Sequence, residues 1–339
     1  MFRKKLRFWI ALLIVCHSAV LFAGFLSPYD VAAQNRLMAF APPSRIHFLN
    51  AQRKLVRPFV FNWRALPGAV TEYEEDWSAA YPIRFLATGS PYRLCGIWTA
   101  RTHLFGAEGG GRIFLFGTDA YGRDQFSRLL YGGRISLSAG LVAASFALSL
   151  GVSLGALAGY YGRAIDELIM RSAEIFLAIP WFYLLLAVRA FLPLQIDSRA
   201  VLFLLVALLG AVGWAQPARL VRGVVLSAKE SEYVLAAKGF GASNLYLLRI
   251  HILPQVSGVA KTQAALLIPR LIVAEVTLSF LGLGVSEPEA SWGNMLAGVQ
   301  NYFMFQFCWW LLAPAVALIF ILFAYNQLIS SPVSGNSEI

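Results

Sequence analysis

The chain has 339 residues, 58% of them hydrophobic and only 14% charged, with a net charge of +10 and a mean hydropathy of +0.63. A soluble domain carries about a quarter charged residues, so this balance excludes an ordinary soluble protein and points to a membrane protein. Cys16, Cys95 and Cys308 lie far apart, two in apolar runs and one in a long loop, which argues for isolated thiols rather than a disulfide framework or a zinc site.

Apolar runs close to the 20 residues that cross a bilayer recur six times, at about 7–26, 135–160, 172–193, 200–218, 256–284 and 306–330. The first follows Arg3, Lys4, Lys5 and Arg7. From Phe8 to Leu26 it is longer than a signal-peptide core and shows no small-residue cleavage site, so it reads as a retained anchor. Residues 27–115 follow, rich in Arg, Pro and aromatic residues (Trp63, Trp77, Trp98) and without a repeat. In 116–137 Asp119 can cap a helix on which Asp124 and Arg128 form an i,i+4 pair, with Phe126, Leu129 and Leu130 on the other side. Such a helix would lie at the outer membrane surface.

Basic residues of the short loops set the orientation. Arg163, Arg171, Arg219, Arg222, Lys229, Lys238 and Arg249 fall on the side of the N-terminal basic cluster, and the short loops of the other side hold only Arg199. Both termini are therefore expected in the cytoplasm, and so is the polar stretch "SAKESEYVLAAKGFGASNLYLLRIHILP", residues 227–254. Ser227 to Glu230 has the pattern of a capping box, which predicts a helix start. Tyr233, Ala236, Ala237 and Phe240 then recur at helical spacing as one apolar stripe. Gly241 supplies a left-handed helix stop, Ser243 can cap a second short helix, and Leu253-Pro254 ends it before the next span. The expected product is a helix–Gly–helix elbow with a small apolar ridge.

Arg189, Lys261, Arg270 and Glu275 fall inside expected spans. Arg189 and Lys261 lie near span ends and can snorkel. Arg270, beside the helix-kinking Pro269, and Glu275 lie near mid-depth, where they would either line a pathway or pair to hold helices together. Gly282 and Gly284 permit close approach and bending in the fifth span, and Trp292 fits the interfacial aromatic belt. No G-x-x-x-x-G-K-[ST] loop occurs, His17, His47, His103 and His251 do not cluster, and no nucleophile–base set is present. The chain is expected to have no catalytic residues, bind no metal and hydrolyse no ATP itself.

Four ordered segments carry a family resemblance over about residues 114–328. "AAKGFGASNLYLLRIHILP" resembles the EAA loop of ATP-binding-cassette importer permeases, although the motif's first Glu is Leu235 here. "FGTDAYGRDQFSRLLYGGRISL" (116–137) is similar to the signature before the second span of the dipeptide, oligopeptide and nickel permeases, specifically the C-type subunit. "GYYGRAIDELIMRSAEIFLAIP" (159–180) and "AEVTLSFLGLGVSEPEASWGNML" (274–296) extend it. The signature positions are Gly117, Thr118, Asp119, Gly122, Arg123, Asp124 and Arg128, then Ser279, Phe280, Leu281, Gly282, Gly284, Trp292 and Gly293.

The resemblance implies an all-α, six-span inner-membrane permease with a long periplasmic insertion after the first helix. Its parts would be 1–26 (N-terminal end and first helix), 27–115 (periplasmic segment), 116–330 (permease core with the coupling loop 227–254) and a cytoplasmic tail, 331–339. Tyr233, Ala236, Ala237, Phe240, Gly241, Leu253 and Pro254 would contact the ATPase, and Glu275 matches an acidic position before Leu-Ser-Phe-Leu-Gly. Implied partners are the bilayer, a homologous second permease, two cytoplasmic ATPases that carry ATP-Mg, and an extracytoplasmic solute-binding protein, with no nucleic acid and no cofactor on this chain. The rival reading is an ion-coupled secondary transporter using Arg270 and Glu275. An inverted repeat would favour it, and none is apparent.

Overall fold

In the computed structural model the described residues are 2–50, 52–66, 71–94, 97–191, 197–300 and 306–330. Cys95 and the expected tail 331–339 lie outside them. The described residues form two compact units, one of residues 7–138 and 276–323, the other of 139–275 with 2–6 and 324–330.

The first unit holds most of α1 (Phe2–Leu21), the short α2 (Ala23–Leu26), and a four-stranded antiparallel sheet in the order β1 (His47–Leu49), β2 (Leu55–Ala65), β3 (Tyr73–Leu94), β4 (Trp98–Ala107). The expected all-α fold is corrected here: the chain is mostly helical, but the segment after the first helix is a sheet. Val60 and Trp63 of β2 both turn inward although their spacing breaks strict alternation, because a register shift falls between Phe61 and Asn62. Pro58, Pro82 and Pro91 punctuate the strands further, and proline normally argues against a strand. These two features hid the sheet. Val60, Phe105 and Ile113 form one small core and Ala41, Trp63 and Phe114 another. His103, buried on β4, has Nδ1 2.5 Å from the Ser27 carbonyl and Nε2 2.9 Å from the Ser90 carbonyl, which fixes the β3–β4 hairpin to the end of α2.

α3 runs unbroken from Gln125 to Tyr161. The separate surface helix expected in 116–137 does not exist, since its apolar side continues directly into the second expected span. α4 (Arg163–Ala178), α5 (Trp181–Ala190), α6 (Ser198–Gly213), α7 (Ala215–Ala228), α8 (Glu232–Gly239), α9 (Asn244–Tyr246) and α10 (Leu253–Phe280) follow, then α11 (Trp292–Ala297) and α12 (Ala313–Ser330). Among the described residues four helical stretches are long and apolar enough to cross a membrane: 125–161, 200–228, 244–280 and 309–329. A fifth is counted if 163–178 and 182–188, bent by 85°, form one broken span. These cover the expected second to sixth spans. α1 is not among them; its first turns carry Arg3, Lys4, Lys5 and Arg7.

Inside the second unit α3 lies against α7 on a stripe of glycines that sequence reading passed over. A Cβ on Gly151 would stand 2.9 Å from the Trp214 carbonyl oxygen, and one on Gly159 2.9 Å from that of Arg222; one on Gly155 would overlap the carbonyl of Ala218. Four-residue spacing puts all three on one helix face, the arrangement that lets apolar helices approach closely in lipid. Gly155→Leu should push the two helices apart at a cost of about 1–3 kcal/mol, read as a lower thermal midpoint of the detergent-solubilised protein. An unchanged midpoint would show that α3 and α7 are not packed this way.

Candidate functional site

The elbow forms where α7 ends. Ser227 and Ala228 belong to α7, so the expected helix start at Ser227 is corrected: α8 begins at Glu232 after Ser231 in extended conformation. The Ser231 hydroxyl donates back to the Ala228 carbonyl, which favours this later start. Gly241 has φ +86°, the left-handed stop expected of it. Ser243 accepts from the Tyr246 amide and caps α9, again as expected. Leu253-Pro254 does not end a helix. A π-helical turn, Leu247–Ile252, carries α9 straight into α10, and Pro254 follows where the Leu253 N–H bonds back five residues to the Leu248 carbonyl, so the regular ladder is already interrupted there.

One side of this elbow is core. Val234, Leu247, Ile252 and Val256 pack with Val221, Val225, Ala228 and Ala156, all buried, and Ala237 rests half-buried against them. The Lys229 ammonium donates to the Gly159 carbonyl at 3.0 Å, and the Tyr160 hydroxyl donates to Asn244 Oδ1 at 2.9 Å. Gln255 hydrogen-bonds the Tyr233 hydroxyl, closing α8 onto α10. Arg222 of α7 pairs with Asp166 of α4 through both carboxylate oxygens, the Nη2–Oδ2 bond being 2.6 Å. The other side is bare. Tyr233, Leu235, Ala236, Phe240, Leu245, Tyr246 and Ile250 are exposed, Phe240 to 93%. The second limb of this patch was missed because Leu245, Tyr246 and Ile250 join the Tyr233–Phe240 stripe only through the fold-back at Gly241.

The other signature positions converge in the first unit. Gly117, Thr118, Asp119 and Gly122 form a tight loop before α3, with Gly117 at φ +62° and Gly122 at φ +69°. Asp119 Oδ1 accepts from the amides of Tyr121 and Arg123. The cap of α3 is Asp124, whose Oδ2 accepts from the Ser127 amide and hydroxyl at 2.8 and 2.6 Å, so neither the Asp119 cap nor the Asp124–Arg128 pair is found. Arg128 reaches Glu287 at 2.9 Å and Asp119 at 3.6 Å. Arg123 pairs with Asp119 at 2.7 Å and with Glu287. Burial works against the Arg123 charge, but the bonds and charges of Glu287 and Asp119 outweigh it and raise its pKa. Sequence reading missed Glu287, which only the fold brings 159 positions back to Arg128.

In the second signature segment Ser279 and Gly293 are buried, Phe280 is half-buried and Leu281 exposed. The expected fifth span stops at Phe280, four residues early, and the chain turns at Gly282 with φ +74°. Gly284 lies against Ser279 and Gly293 against the backbone of Val276 and Phe280, so their role is close packing beyond the helix end. Trp292 is buried rather than set in a lipid-facing belt, because its indole N–H donates to the Leu129 carbonyl at 2.9 Å. Arg270 is exposed on α10 and Glu275 is fully buried. Arg270 borders a small cavity with Leu185, Leu209 and Leu267.

The apolar helices define a polytopic membrane protein, and the elbow carries an exposed apolar patch. The family described as "binding-protein-dependent transport system inner membrane component" matches residues 151–331. The dipeptide transport system permease protein of Bacillus subtilis is 40% identical over 213 residues, 63% of this chain and 65% of that protein. Oligopeptide transport system permease proteins of Haemophilus influenzae and Escherichia coli K12 are 40% and 41% identical over 212 residues, 62% of this chain and 66% and 68% of theirs. The chain thus spans just under two thirds of the first two of these relatives. It belongs to the binding-protein-dependent inner-membrane component family, in its dipeptide and oligopeptide permease branch.

Burial pushes the Asp124 carboxyl up from its ordinary value to about 7, against the opposing pull of the Ser127 hydrogen bonds. Unfolded, the group loses its proton near pH 4. The folded chain therefore holds one more proton between those values, and stability falls as pH rises through this window and levels off above about 7. Thermal melts of the wild type should give a higher midpoint at pH 5 than at pH 8. The difference should shrink in Asp124→Asn; equal differences in both would assign it to other groups.

Proposed function

We propose that the chain is the permease subunit of an ATP-driven, binding-protein-dependent importer of peptides. It would line the pathway with a second, homologous permease and work with two cytoplasmic ATPases, which carry the ATP-Mg, and an extracytoplasmic solute-binding protein. The observation that carries this reading is the elbow: an exposed apolar patch on a base packed into the span bundle, in a chain of this family. Closure of the ATPases would push that base, and the spans would follow between two states. Both termini and the elbow would face the cytoplasm, with residues 27–115 on the other side. The six spans would be α1, α3, the bent α4–α5 pair, α6–α7, α9–α10 and α12. Arg270, exposed beside the small cavity, is the candidate for contact with the solute path, and the fully buried Glu275 suits the alternative of holding helices together.

Phe240 touches nothing in the chain's own core, so Phe240→Ala should leave the melting midpoint near wild type. Loss of a central aromatic anchor typically costs an interface about 1 kcal/mol or more, so ATPase association at least about fivefold weaker is expected. Ala236→Glu should act in the same direction, and Gly241→Val should add about 1 kcal/mol of backbone strain. Co-purification of the ATPase and receptor-stimulated ATP hydrolysis in proteoliposomes read all three. Wild-type values throughout would make the elbow an ordinary surface loop.

Uptake by the assembled complex should persist when ion gradients are collapsed at constant ATP. Uptake that vanishes with the gradient would establish the ion-coupled alternative. Cysteines at Ser78 and Ser231 in a cysteine-free background should react from opposite sides, with only Ser78 open to impermeant reagent in intact cells.

A further inference from the structure

We propose that the tip of the β3–β4 hairpin sits in the bilayer interface and that the groove between it and α1–α2 holds an acyl chain of a phospholipid. The cross-strand pairs Tyr92–Ala100 and Leu94–Trp98 share one face of the hairpin, and Arg93–Thr99 the other. Tyr92 and Leu94 face α1 and α2, where with Ile14, Val15, Phe22 and Leu26 they line an apolar groove of about 580 Å³. At the tip Ile97 is 76% exposed and Trp98 70% exposed. No water-soluble surface gains from such a tip.

Three observations choose lipid as the occupant. The groove is continuous with an apolar helix surface, since Phe8, Ile14, Val15, Leu21 and Phe22 of α1 and its following turn are exposed. Its length fits: α1 contributes about 11 Å from Ile14 to Leu21 at 1.5 Å per residue and α2 carries the wall on to Leu26, of the order of one leaflet. The charge also fits. Between Arg84 and Glu108 the hairpin has no acidic residue, and the exposed Arg93 and Arg101 share the face turned from the groove, where they can meet lipid phosphates. The tip is held in place by the His103 contacts to Ser27 and Ser90, and by Tyr92, whose Cγ lies 2.7 Å from where a Cβ on Gly24 would stand.

The proposal goes beyond the importer reading but rests on its membrane placement, so the test carries a control for that placement. The full chain, with Cys16, Cys95 and Cys308 replaced, is spin-labelled at Ile97→Cys, Arg53→Cys or Phe203→Cys and put in nanodiscs containing phosphatidylglycerol. Oxygen should relax the labels at 97 and 203 more than a water-soluble nickel chelate does, and the order should reverse at 53. If 203 reports lipid while 97 behaves like 53, the hairpin proposal fails and the membrane placement stands. If 203 also reports water, the placement itself fails. Protection at 97 that appears only when the second permease is present would assign the tip to a protein interface and overturn the proposal. For the groove, phosphatidylglycerol with a diazirine in its acyl chain should cross-link to residues 14–26 and 92–94, and Leu94→Arg should abolish those adducts. Cross-links spread evenly over all lipid-facing helices, unchanged in Leu94→Arg, would overturn the acyl site.

Discussion

The role proposed for the elbow, an arm that passes on a push, depends on one of its sides being core. Val234, Leu247 and Ile252 are almost fully buried against Val221, Val225 and Ala156, and close packing of that kind transmits displacement instead of absorbing it. The π-helical turn has a part in this. A helix that broke at Leu253-Pro254 would hinge there, whereas the continuous run from Asn244 to Phe280 makes the outer limb of the elbow the direct extension of a span. A push on Leu245 or Ile250 therefore acts along α10, which carries both Arg270 and Glu275. The glycine stripe of α3 serves the same rigidity, since it brings α7, the helix that enters the elbow, to backbone contact distance.

Much of this was legible in the sequence, and the failures share causes. Apolar length matched four helical stretches long enough to cross a membrane, and a fifth if the bent pair is one span, and the order of small residues found the elbow, with Gly241 and Ser243 in the roles their chemistry suggests. The errors came where a local rule met a tertiary override. Ser227 to Glu230 satisfied a capping pattern, yet α7 had no reason to stop before Ala228, whose side chain is buried in the core. Leu253-Pro254 read as a terminator because the rule assumes a regular i,i+4 ladder, which the preceding turn does not have. Trp292 looked like an interfacial residue, but an indole N–H also satisfies a buried carbonyl, and only the fold supplies Leu129 as that partner.

The sheet failed for a different reason. Period-2 patterns are short-ranged, and one bulge exchanges the inward and outward faces. β2 has such a shift at Phe61/Asn62 and β3 has another between Thr88 and Tyr92. A reading that demands alternation sees fragments of three or four residues broken by proline, and concludes that no strand is present.

The charge network before α3 raises the question of what four ionised groups at Asp119, Arg123, Arg128 and Glu287 contribute. Buried pairs rarely add net stability over apolar packing, but removing one partner is costly, because the remaining charge is left without compensation. Arg123 and Arg128 are nearly inaccessible, while the Glu287 side chain keeps 44% of its exposure. The two arginines are thus committed to the α3 side, and losing Glu287 would leave them facing Asp119 alone, with one buried positive charge in excess. The arrangement suits a contact that specifies where the loop after α10 sits on the start of α3. That places specificity on the exposed acid and rigidity on the buried bases, a division that Trp292 reinforces by fixing the same loop to Leu129 through an uncharged hydrogen bond.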